Sequence, residues 1–88
     1  MKKEELSKRI ESLIRISHPY EVRKVDVRIV NKQIHIDIGY NPLHETMRSY
    51  ADDMVSITIE NFMVRNNALC TWHKRRENGH SYTYAMCM

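Results

Sequence analysis

Residues 69–88 read LCTWHKRRENGHSYTYAMCM, and the dipeptide Asn78-Gly79 inside that stretch decides how the chain is read. Asn-Gly between two runs of strand-forming residues is the strongest short-range hairpin signal a sequence carries. A type I′ turn centred on it needs positive φ at both positions, which Gly adopts freely and Asn tolerates. The register follows: Glu77 faces His80, Arg75 faces Tyr82, His73 faces Tyr84 and Cys70 faces Cys87. Successive side chains alternate faces. One face then carries Ala68, Cys70, Trp72, Ala85 and Cys87, with Lys74 and Thr83 nearer the turn. The other carries Leu69, Thr71, His73, Arg75, Tyr82, Tyr84 and Met86. The first set is expected in the core, and the second is expected to stay exposed as an aromatic and cationic strip.

A second hairpin precedes it. Val22 to Tyr40 divides at a tight turn, Asn31-Lys32, and its faces separate cleanly. Val25, Val27, Ile29, Ile34, Ile36 and Ile38 fall on one side; Lys24, Asp26, Arg28, His35 and Asp37 fall on the other. A slip of one residue would mix these sets, so burial specifies the register.

Two helices complete the pattern. Leu6, Ile10, Leu13 and Ile14 form one apolar stripe over Glu4 to Ile16. Pro19 disfavours helix just before it, so this helix should stop near Ser17-His18. Asn41-Pro42 opens the second helix, with Asn as N-cap and Pro at the first helical position. Leu43, Met47, Tyr50, Ala51, Met54, Val55 and Phe62 make its apolar side, and Glu45, Ser49, Asp52, Asp53, Ser56 and Glu60 the polar one. That supports a helix to about Met63. A rival reading makes Met54 to Glu60 a fifth strand, because Val55, Ile57 and Ile59 also alternate and are β-branched. Two aspartates near a helix C-terminus would oppose the dipole there, which favours the long helix. The expected fold is α+β in the order α-β-β-α-β-β. A four-stranded antiparallel sheet carries two helices on one face and leaves the other open. The halves share a pattern of elements without an evident residue-level repeat.

Composition bounds the function. Eighty-eight residues, 42% hydrophobic and 28% charged, fit one globular domain. The net charge of +3 permits a phosphate-rich or acidic partner but requires neither. No apolar stretch approaches the roughly 20 residues of a membrane span. The first residues lack a signal-peptide core, so a cytoplasmic location is expected, in the protein's own cell or a host's. Free thiols are the default for Cys70 and Cys87 there, and no cofactor is expected.

Several candidate sites follow. The strip of His73, Arg75, Tyr82, Tyr84 and Met86, with Lys74 and Arg76 beside the turn, suits another protein or a second copy of this chain, since Tyr, Met and Arg are enriched at interfaces. The expected function is a small non-enzymatic module of regulatory or inhibitory type that acts by occupying its partner. RNA or DNA is the alternative, with stacked aromatics and the His73–Arg76 basic cluster. A metal-independent ribonuclease using His73, Tyr84 and Arg75 is a further alternative. Cys70, His73, His80 and Cys87 have zinc-like spacing, but the register puts the cysteines and the histidines on opposite faces. Asp26 and Asp37 should lie opposite each other, with Lys24 and Arg28 offsetting their repulsion. His44-Glu45 resembles the start of a zinc-protease motif, but Arg48 stands where the second His would be.

Overall fold

A computed structural model describes residues 3–86. The elements run α1 (Lys3–Ser17), β1 (Val22–Val30), β2 (Gln33–Tyr40), α2 (Glu45–Arg65), β3 (Ala68–Arg76) and β4 (Gly79–Met86). The strands form one four-stranded antiparallel sheet in the order β1-β2-β4-β3. This is the expected α+β fold, with both helices on one face and the other face open. Residues 54–60 lie inside α2, so the fifth-strand alternative is absent.

The first unit forms as its periodicity dictates. Leu6, Ile10 and Ile14 are fully buried at successive turns of α1. They sit over Val25, Ile34, Ile36 and Ile38, with Val27 and Ile29 partly buried at the margin. Fully burying each such side chain contributes about 1.5–3 kcal/mol. The β1–β2 register is the expected one, with Val30 opposite Gln33, Arg28 opposite His35 and Asp26 opposite Asp37. Asn31 takes the left-handed conformation that its tight turn needs, at φ 57°. Arg28 binds Asp37 at 3.2 Å and Asp26 at 3.8 Å, offsetting the aspartates' repulsion.

Helix α2 begins later than Asn41-Pro42 suggests. Its first residue is Glu45, and His44 occupies the cap position. Asn41 instead fastens the chain to the α1–β1 loop: its Nδ2 donates to the Tyr20 carbonyl at 2.9 Å and its backbone N–H to that of Glu21 at 2.9 Å. At the other end Asn66 N–H donates to Met63 O, and Asn67 adopts φ 57°. A left-handed residue just past the last turn ends a helix and redirects the chain.

The terminal hairpin differs from its expected form in two ways. Its loop is Glu77-Asn78 rather than Asn78-Gly79, because Arg76 pairs with Gly79, Arg75 with His80 and His73 with Tyr82. Gly79 does not serve a positive φ. A Cβ there would lie 1.9 Å from the Ile38 carbonyl oxygen, so glycine is needed for the close approach of β4 to β2. The second difference is a bulge between Cys70 and Trp72, after which Cys70 faces Tyr84. Cys87, the expected partner of Cys70, lies outside the described residues, as do Met88 and Lys2.

The two units share a layout that local sequence does not advertise. Strands β1 and β3 start at 22 and 68 and end at 30 and 76, while β2 and β4 start at 33 and 79 and end at 40 and 86, an offset of 46 residues at every boundary. Inner strands β2 and β4 pair at the centre. At that offset Ile34, Ile36 and Ile38 of β2 correspond to His80, Tyr82 and Tyr84 of β4, whereas the helices do not keep it: the fully buried Leu6, Ile10 and Ile14 of α1 find their match in fully buried Ala51, Val55 and Ile59 of α2. The covered face of the sheet is aliphatic along β2 and polar and aromatic along β4.

Candidate functional site

Pairing across β2–β4 fixes which face the terminal hairpin presents to the helices. Ile34 sits opposite Tyr84, Ile36 opposite Tyr82 and Ile38 opposite His80. Directly opposed residues point to the same side, so Tyr82, Tyr84 and His80 lie on the helix-covered face. Tyr82 and Tyr84 are 4% and 3% exposed. The expected assignment of faces is therefore inverted. His73, Arg75, Tyr82, Tyr84 and Met86 do share one face, but that face is the covered one. Met86 is half-buried against the core. His73 and Arg75 reach solvent there, because β3 is the sheet edge. Lys74 and Arg76 project from the open face with Trp72, which was expected inside.

The tyrosines fit an interior because their hydroxyls find partners. Tyr82 Oη is 2.6 Å from Ser56 Oγ and 3.0 Å from His80 Nδ1. Tyr40 Oη lies 3.3 Å from the same nitrogen. Burial pushes the Tyr82 hydroxyl up to about 12 and also raises those of Tyr40 and Tyr84. All three are neutral at physiological pH.

Asp52 anchors this network from α2. Its carboxylate, 4% exposed, receives Arg75 Nε at 3.2 Å and lies 3.4 Å from His80 Nδ1. Arg75 Nε–H also points at His80 Nε2, 3.5 Å away. A guanidinium can only donate, so this contact favours the neutral tautomer with its proton on Nδ1. Burial lowers the His80 pKa, Asp52 opposes that shift, and Arg75 and His73 reinforce it.

Beside the network opens a cleft of about 300 Å³, lined by Ser56, Glu60, Cys70, His73, Tyr82 and Tyr84. The bulge turns Cys70 into it. The thiol is free, and burial raises its pKa, with Glu60 adding to the rise. Cys70 and His73 consequently share a face, contrary to the expected split. Among the described residues no three His, Cys, Asp or Glu side chains converge as metal ligands. The expected His73–Tyr84 pairing for ribonuclease chemistry is replaced by His73–Tyr82, with the rings stacked at 6.1 Å.

A separate surface was missed. In α2, Ala51, Val55, Ile59 and Met63 face the core, while Met47, Tyr50, Met54, Ile57 and Val64 are exposed. Sequence periodicity grouped Met47, Tyr50 and Met54 with the core. The exposed set, with Asn61, advances in alternating steps of three and four residues, the spacing of a helix–helix seam. Tyr50, Ile57 and Val64 are 56%, 52% and 63% exposed, and a helix apolar on two sides is built to be covered twice. Ile16 and Tyr20, beyond the end of α1's packed stripe, are also exposed. The His18–Thr58 hydrogen bond, at 2.8 Å, ties that end of α1 to the middle of α2.

No protein-family model and no curated protein matches this chain. No helix among the described residues is long and apolar enough to cross a membrane.

Proposed function

We propose that the protein is a non-enzymatic protein-binding module that acts through the outward seam of α2, and that its partner there is a second copy of the chain. The observation behind this reading is the seam itself: Met47, Tyr50, Met54, Ile57 and Val64 exposed in a three-four rhythm on a helix already packed on its other side. Contiguous exposed apolar surface of this kind marks interaction sites, and Met and Tyr are favoured in them.

The seam is self-complementary in an antiparallel pair. Centred between Val55 and Ser56, it sets Met54 against Ile57 of the second copy, Met47 against Val64, and Tyr50 against Asn61. The last pairing gives the one amide in the seam a hydroxyl partner, and a single buried Asn is a known device for fixing helix register. Antiparallel helices also place opposite dipole ends together, and a two-fold pair closes on itself. The test is a dilution series followed by amide NMR. Resonances of Met47, Tyr50, Met54, Ile57, Asn61 and Val64 should shift with concentration. Shifts confined to the open sheet face, or none, would sink the reading.

A second reading rests on that open face. Lys24 and Arg28 on β1, with Lys74, Arg76 and Trp72 on β3, flank a floor of Gly39, Gly79, Ser81 and Thr83, with Asp26 and Asp37 on the same face binding Arg28. Cationic walls beside an exposed indole suit single-stranded nucleic acid. Such binding would weaken steeply with salt and on Lys74→Ala or Arg76→Ala. Salt-insensitive binding, or none, dismisses it.

A further inference from the structure

Beside the buried stripe of α2, exposed Glu60 and half-buried Ser56 form one wall of the cleft. Opposite stand three rings from neighbouring strands. His73 and Tyr82 are inclined by 27° with centroids 6.1 Å apart, and Tyr82 and Tyr84 by 21° at 6.4 Å. No ion pair engages Glu60 among the described residues, and the nearby cation Arg75 is held by Asp52. The carboxylate's field is felt inside the cleft, where it raises both the Cys70 thiol and the Tyr84 hydroxyl. Glu60 is the one carboxylate in a lining that holds no Lys or Arg. A carboxylate facing a bank of aromatic rings is the chemistry that recognises organic cations. The volume, about 300 Å³, lies at the small end of ligand sites and suits a side-chain-sized head group.

We propose that the cleft between α2 and the β3–β4 edge, lined by Glu60, His73, Tyr82, Tyr84, Cys70 and Ser56, binds an organic monocation, an alkylguanidinium or alkylammonium head group such as an arginine or lysine side chain carries. Glu60 supplies the counter-charge, exposed His73 and the small accessible parts of Tyr82 and Tyr84 supply aromatic and apolar contact, and Ser56 Oγ accepts a hydrogen bond. The site lies on the flank of α2 away from its outward seam, so occupancy does not depend on self-association.

The test is an NMR titration of the full chain with butylguanidinium, butylammonium and tetramethylammonium chlorides, with sodium butyrate and sodium phosphate as anionic controls. At least one cation should give saturable shifts centred on Ser56, Glu60, Cys70, His73, Tyr82 and Tyr84, and its identity assigns the head group. Glu60→Gln, at an exposed position that tolerates the change, should weaken binding tenfold or more. Tyr84→Phe, which keeps the ring, should weaken it less than threefold. The proposal is overturned if no cation gives saturable shifts at these residues. It is equally overturned if Glu60→Gln binds as tightly as the wild type, or if an anion produces the stronger response.

Discussion

Asp52 and His80 lie 3.4 Å apart and nearly sealed from water, His80 at the β4 position that corresponds to fully buried Ile34 on β2. Where β2 carries an isoleucine, β4 carries a histidine beside a buried carboxylate. Buried charge costs free energy unless it is paired, and a paired set is costly to break. Asp52→Ala should therefore destabilise the fold by about 1–3 kcal/mol in urea unfolding, moderated because Arg75 can turn to water. The double replacement Asp52→Leu with His80→Ile, which exchanges the buried polar pair for aliphatic side chains, should lose far less or gain stability. Equal losses in both variants would contradict this reading of the network.

The same network sets a pH dependence. Burial lowers the pKa of both His80 and His18 in the fold, so the unfolded chain takes up these protons first as pH falls. Stability from this source is complete above about pH 6.5, the ordinary histidine value, and declines as pH drops below it through the folded values. Groups acting on His80 are Asp52, Arg75, His73, Tyr40, Tyr82 and Asp53; Thr58 and Glu21 act on His18. Unfolding midpoints should fall between pH 7 and pH 5, and His80→Gln should reduce that fall. A midpoint that rises on acidification would show that Asp52 outweighs burial.

Gly79 and Asn78 exchange importance relative to a type I′ turn. A methyl group at 79 runs into the Ile38 carbonyl, so Gly79→Ala should cost about 1–3 kcal/mol or more. Asn78, in a loop without positive φ, should accept Ala within about 0.5 kcal/mol. Thermal unfolding of the two variants separates these expectations. The reverse order would restore Asn78-Gly79 as the turn centre.

How far the sequence could be read depended on whether one face of an element was plainly apolar. Ile34, Ile36 and Ile38 against His35 and Asp37 left a single solution, and the first hairpin's register was legible to the residue. The terminal hairpin offered Trp72 and Ala85 on one side and Tyr82 and Tyr84 on the other. Either face could have been the inner one, and the helix-side partners that decide it, Asp52 and Ser56, lie far away in sequence. A register slip of two residues preserves the alternation, so grouping His73, Arg75, Tyr82 and Tyr84 survived the wrong turn while their exposure did not. Cys70 changed company because a bulge is invisible to a strict period of two. In α2 two apolar faces blurred into one broad stripe, which hid the outward seam of Met47, Tyr50, Met54, Ile57 and Val64.

Tyr82 tests whether the aromatic interior relies on its hydroxyls. Tyr82→Phe keeps the ring but leaves Ser56 Oγ and His80 Nδ1 without a shared partner. It should lower stability by about 1–2 kcal/mol. Tyr84→Ala, which empties a core position, should cost about 3–5 kcal/mol. Denaturant midpoints at constant m-value distinguish them, and an unchanged Tyr82→Phe midpoint would remove the hydroxyl from the network.

The proposed interface is tested most directly by sedimentation of the wild type beside Ile57→Glu. Ile57 is 52% exposed, so the variant should keep its circular dichroism and unfolding midpoint while placing a charge in the middle of the seam. The wild type should sediment as a dimer and Ile57→Glu as a monomer. A wild-type monomer, or an Ile57→Glu chain that stays dimeric, would contradict the proposal that α2 binds a second copy.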